Sequence, residues 1–187
     1  MKKKRLCSML IIVFYSIVSY AQITEPEFIG DVYWQKQNGE VYMLEKEIAA
    51  YTTGTSFKYN TWNALFLEML GAHAKTIIPI NESIKFIVRA LDNNSDPMSI
   101  ITIYRFECTK NKRKTILAED NSGTLMKSRT HTKNQIVFSA TKYGSSSYLI
   151  SLADLEEGEY GITVVNPNNR DEKKTIISCF GVYESVY

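Results

Sequence analysis

The chain reads as an all-β domain, a single β-sandwich with Greek-key connections, carrying an N-terminal β-hairpin and one short helix. Three observations predict this. Apolar and polar residues alternate with period two along several runs. Turn-forming residues separate those runs. A Leu-Gly-Tyr corner, Leu155, Gly158 and Tyr160, stands before an alternating strand, with one strand candidate left after it.

The first residues come before the fold. Lys2, Lys3, Lys4 and Arg5 form a basic start, residues 6–18 are mostly apolar, and Ser19-Tyr20-Ala21 places small residues at the −3 and −1 positions of a cleavage site. This is the layout of a secretory signal peptide, residues 1–21, with the mature chain starting at Gln22. A membrane span needs about 20 apolar residues, and polar Gln22, Thr24 and Glu25 arrive too early for one. Cleavage near Ala21 predicts a periplasmic or secreted protein with no transmembrane segment left.

Cleavage also changes the charge. The 187-residue chain carries 22 Lys and Arg against 20 Asp and Glu, and four of the 22 lie in the first five residues. The mature 166 residues, 22–187, therefore hold 18 basic and 20 acidic side chains, a net −2. Nothing in that balance attracts a nucleic acid. A chain of this length buries about 70% of its surface in one core, so one domain is expected over 22–187. Cys108 and Cys179 survive cleavage and are read as two free, buried thiols.

The elements follow in order. Strands are expected over 29–36 and 40–46, joined as a hairpin by Asn38-Gly39, a pair that tolerates positive φ. Trp62, Leu65, Phe66, Met69 and Leu70 recur at helical spacing before Gly71, which predicts a helix over 61–70. Further strands are expected at 76–80, 84–90, 100–108, 114–119, 135–140, 147–152, 159–165 and 175–183. In 84–90, Ile84, Phe86, Val88 and Ala90 alternate with Lys85 and Arg89. The run from Ile100 is apolar on both faces at its start, as in the middle of a sandwich.

Four stretches carry a resemblance. They are residues 86–93 followed by Asp96-Pro97, residues 142–148, residues 155–161 and residues 180–183. Over roughly 30–183 they resemble uncharacterised secreted bacterial proteins with an immunoglobulin-like β-sandwich ending in a GEYG…FG pattern. The resemblance implies a fold and an envelope location, and no catalytic residue comes with it.

Chemistry is sparse in the sequence. His73 and His131 stand at no metal-ligand spacing. Asp92, Asn94 and Asp96 match the start of a calcium loop, but Pro97 takes the place of its glycine and Ile103 that of its closing Glu. Gly144-Ser145-Ser146-Ser147 lacks the second glycine of a nucleophile elbow. Glu156-Glu157 reads as a solvated turn. No catalytic, cofactor or metal residue is assigned, and no cofactor is expected. Tyr33, Trp34, Tyr42 and Tyr51 form the candidate binding surface, because Tyr and Trp anchor contacts with proteins and sugars. The expectation is a non-enzymatic binding or structural module of the bacterial envelope, its partner a protein or an envelope glycan. A hydrolase of envelope material and a carbohydrate-binding module are the alternatives.

Overall fold

A computed structural model describes residues 24–56, 61–120, 129–130 and 134–184. The signal-peptide region, His131 and the last three residues lie outside that set. Among the described residues no helix is long and apolar enough to cross a membrane.

The chain is all-β, built of two sheets. The first is antiparallel and five-stranded. Its members are β1 (Val32–Gln35), β2 (Val41–Met43), β6 (Ile84–Arg89), β10 (Ser139–Tyr143) and β11 (Ser147–Leu152), in the order β10-β11-β6-β1-β2. The N-terminal hairpin is β1–β2. Its turn holds Gly39 at φ +87°, and the Asn38 side chain accepts from the Glu40 amide at 3.0 Å.

The second sheet closes on itself. It comprises β3 (Glu45–Ser56), β4 (Thr61–Leu70), β7 (Ile101–Cys108), β8 (Lys112–Asp120), β12 (Gly158–Val164) and β13 (Lys174–Tyr183), in the order β12-β7-β8-β4-β3-β13. β12 also pairs with β13, so the six form a barrel. β5 (Ile77–Pro79) runs parallel to β13 outside this ring, and β9 (Arg129–Thr130) pairs with β8. The four-residue helix α1 (Pro97–Ile100) leads into β7, capped by the Asp96 carboxylate.

Two cores result. The larger lies between the first sheet and the barrel wall. Val32, Trp34, Phe86, Val88, Tyr148 and Ile150 meet Ile101, Ile103, Tyr160, Ile162, Phe180 and Val182 there. The smaller fills the barrel with Ala49, Leu67, Met69, Phe106, Ile177 and Cys179. Alternation on β7, β12 and β13 therefore feeds both: one face packs against the first sheet and the other in the lumen.

The double use of the wall corrects the helix expected over 61–70. That segment is strand β4, paired with β3 on one side and β8 on the other. Leu67 and Met69 enter the lumen cluster, while Ala64 and Phe66 join Ile116 in a separate one. A strand apolar on both faces loses its period of two and can mimic helical spacing. Gly71, at φ +85°, ends a strand and not a helix. Two strand ranges also move. The run expected at 40–46 is the short β2 followed by the twelve-residue β3, and the run expected at 135–140 begins at Ser139. Residues 134–136 instead run along β7, where Arg105 donates to the Asn134 carbonyl and Ile136 to that of Ile103, both at 2.8 Å.

Candidate functional site

The four aromatics of the candidate surface do not form one platform. Trp34 is buried in the main core. Tyr42, its cross-strand partner, stands 43% exposed with ring centroids 6.0 Å apart, and the Lys36 ammonium lies over both rings. Tyr33 points to the opposite face by strand alternation. Tyr51 belongs to the barrel, on β3. Such a surface needed one exposed face. The pleat and the sheet boundary divide it, and cross-strand packing claims Trp34.

Tyr51 instead borders a cavity of about 850 Å³ at the β3, β7, β12 and β13 wall. Tyr104, Thr102 and Thr163 line it, with Asn166 and Asn169 from the loop after β12. Thr102 and Tyr104 alternate with Ile101 and Ile103 of the main core, so they face the lumen side. Burial pushes the Tyr104 phenol pKa up, a hydrogen bond with Thr102 opposes this, and neighbouring Tyr51 adds to the rise. The Thr163 hydroxyl donates to the Thr102 carbonyl at 3.3 Å. Hydroxyls and amides beside two aromatic rings can grip a neutral polar ligand by hydrogen bonds and stacking.

A charged layer crosses the barrel away from these residues. Glu159 alternates with core-facing Tyr160 and so points inward, fully buried. Its carboxylate accepts from the Ala74 amide at 2.7 Å and the Tyr183 hydroxyl at 2.7 Å, with His73 Nδ1 at 3.0 Å. Arg113, 1% exposed, donates to both Glu47 oxygens at 2.6 Å and to the Gly71 carbonyl at 3.1 Å; its other terminal nitrogen lies 3.6 Å from Glu159. Burial, together with Glu159 as acceptor, holds the Tyr183 phenol protonated well above its ordinary range. The layer is a plug: its charges pair across strands distant in sequence, and Arg113 Nη1 faces Glu159 without a hydrogen bond.

The Leu155-Gly158-Tyr160 corner is local. The Tyr160 hydroxyl donates to the Glu156 carbonyl at 2.7 Å, and its ring stacks on Phe180 with centroids 5.4 Å apart. Leu155 packs against the main core. Gly158 takes φ +152° beside the Arg105 guanidinium, which pairs with the Glu156 carboxylate and donates to the Glu157 carbonyl at 2.9 Å. Glu156 is thus an ion-pair partner and Glu157 accepts from the Glu184 amide.

The acidic loop is spent on its own backbone, with Asp92 accepting from Asn94 and Asp96 from Met98. The serine turn has an unexpected occupant. Glu25, from the segment before β1, places its carboxylate on Ser145, Ser146 and Ser147 and pairs with Arg89. Burial pushes that carboxyl up, but the serine hydrogen bonds outweigh it and bring the pKa down to about 2. Nothing near Glu25 in sequence signals this contact, which spans 120 residues.

Both cysteines are free, but only Cys179 is buried. Cys108, expected buried, is exposed, because it ends β7 beyond the first residue of β12 and pairs only with Arg113 of β8. In the chain starting at Gln22, Ellman's reagent should titrate one thiol in the native protein and a second only after unfolding. Burial raises the Cys179 pKa strongly, which suppresses its thiolate further. Two native reactive thiols would mean that β13 opens; none in denatured, unreduced protein would mean a disulfide.

No protein-family model matches the chain, and neither a curated protein nor a solved structure is significantly similar to it.

Proposed function

We propose that this protein is a non-enzymatic binding module of the bacterial envelope, exported by residues 1–21 and cleaved near Ala21. Its ligand is a neutral hydroxylated molecule, best matched by a segment of envelope glycan, and it sits in the cavity bordered by Tyr51 and Tyr104. The observation that carries this is the cavity lining: two tyrosines, three threonines and three asparagines around about 850 Å³, with Lys46 and Lys174 offset in charge by Asp171 and Glu172. Pockets of this size hold small ligands, and a few placed polar groups fix their orientation. The immunoglobulin-like kinship belongs to the same proposal, supported by the Tyr160 hydrogen bond to Glu156.

Calorimetric titration of the mature domain with soluble envelope glycan fragments tests the proposal. Binding should appear and weaken about 2- to 10-fold in Tyr51→Ala or Tyr104→Ala, since each stacking ring contributes about 0.5–1.5 kcal/mol. Glycan binding indifferent to both tyrosines would remove the cavity from the argument. Release of shortened fragments during the titration would establish a hydrolase instead.

A further inference from the structure

The turn between β10 and β11 is built to hold a carboxylate. Gly144 takes φ +58°, and the backbone then directs two successive amides outward. The Ser145 amide donates to Glu25 Oε1 at 2.6 Å and the Ser146 amide to Oε2 at 3.1 Å. The Ser145 hydroxyl adds a bond to Oε1 at 3.1 Å and the Ser147 hydroxyl one to Oε2 at 2.7 Å. Arg89, at the end of β6 and paired with Ser147 in the sheet, supplies its guanidinium to Oε2 at 2.9 Å. Five donors thus converge on one carboxylate, and Ser147 is fully buried. A Cβ on Gly144 would collide with that carboxylate, so the glycine is part of the site. Successive amides in such a turn make an anion-binding concavity.

Most of the occupant lies at the surface. Pro26 beside Glu25 is buried, but Thr24, Glu27 and Phe28 are exposed, Phe28 at 60%. Beyond Glu25, the Phe28 amide donates to the Asp31 carboxylate at 3.1 Å, and the Gly30 amide donates to the Arg89 carbonyl at 2.9 Å. The segment is therefore a ligand on a tether. A short tether gives its carboxylate an effective concentration in the millimolar range.

We propose that the β10–β11 turn with Arg89 is a binding site for the carboxylate of an extended acidic peptide, and that residues 24–28 occupy it as an intramolecular ligand. The site lies on the first sheet, apart from the barrel cavity, and shares none of its lining residues. The two assignments stand or fall separately. A free acidic peptide enters only when the tethered carboxylate is absent or displaced.

The test uses the mature chain and a labelled, capped peptide of residues 22–28. Glu25→Ala empties the site. The peptide should bind that variant about 10- to 100-fold more tightly than wild type, the range a charge-assisted network commands. Binding should return the Ser145 and Ser146 amide resonances toward their wild-type positions. A peptide carrying Gln at position 25 should fail to bind, and so should a Glu25→Ala, Arg89→Ala double variant. If Glu25→Ala does not keep the wild-type melting temperature, Glu25→Gln preserves the side chain's shape and the same peptide comparison applies. A folded, emptied site that ignores the peptide would overturn the proposal, as would equal binding of the acidic and Gln peptides.

Discussion

Arg113→Ala should lower the stability of the domain by about 3–5 kcal/mol, as removal of one partner from a buried ion pair does. The arginine is almost fully buried and faces two carboxylates, Glu47 and Glu159. Without it Glu47 loses two hydrogen bonds and Glu159 loses the buried cation that faces it. Glu159 would keep its bonds from Ala74 and Tyr183, but those neutral donors balance no charge. Arg113→Lys separates charge from geometry. It keeps the cation and loses the fork that grips both Glu47 oxygens and the Gly71 carbonyl, so it should fall between wild type and alanine. A triple variant, Arg113→Met with Glu47→Gln and Glu159→Gln, should recover much of the loss, because no buried charge is then left alone. Urea denaturation of the four proteins decides this. An alanine variant within about 0.5 kcal/mol of wild type, the range of ordinary surface changes, would mean that water reaches the plug and that the barrel end is open.

The plug and the Glu25 contact were invisible in the sequence for one physical reason. Glu47 and Arg113 are 66 residues apart, Glu25 and Ser145 are 120 apart, and the pairing is made by sheet topology alone. Local pattern carries only what neighbours determine. β6, β11 and β12 could be read to within a residue or two, since each buries a regular apolar face against the main core. The long strand β3 carries Glu45, Lys46, Glu47 and Gly54, residue types depleted in strands. It becomes a barrel wall because its inward Glu47 finds Arg113 and its Ala49 packs beside Leu67 and Ile177. β4 fails in the opposite way, with apolar residues on both faces and hence no alternation. The aromatic candidates show the same limit: type and proximity in sequence name Tyr33, Trp34, Tyr42 and Tyr51, but only the pleat and the boundary between the sheets determine which rings share a face.

Tyr160→Ala should cost about 3–5 kcal/mol, the range for deleting a large buried ring, enough to unfold many domains of this size. The ring is 1% exposed and stacks on Phe180, which in turn meets Phe86 of the opposite sheet at 4.8 Å between centroids. Its loss therefore opens a cavity between the two sheets, where neighbours on both sides are held in register and cannot collapse freely. Tyr160→Phe isolates the hydroxyl. The ring and its stacking stay, and only the donor to the Glu156 carbonyl goes, at about 1–2 kcal/mol for an acceptor left without its partner. The corner also holds Arg105, which bonds the Glu157 carbonyl and the Glu156 carboxylate, so the loop itself should remain in place when the hydroxyl is removed. Tyr42→Phe serves as the control: its hydroxyl meets only the exposed Glu40 carboxylate, and its removal should change stability by less than about 0.5 kcal/mol. Equilibrium urea melts of the three variants order these effects. Should Tyr160→Phe melt with wild type while Tyr160→Ala unfolds, water replaces the hydroxyl at Glu156, and the corner holds the two sheets together through its ring alone.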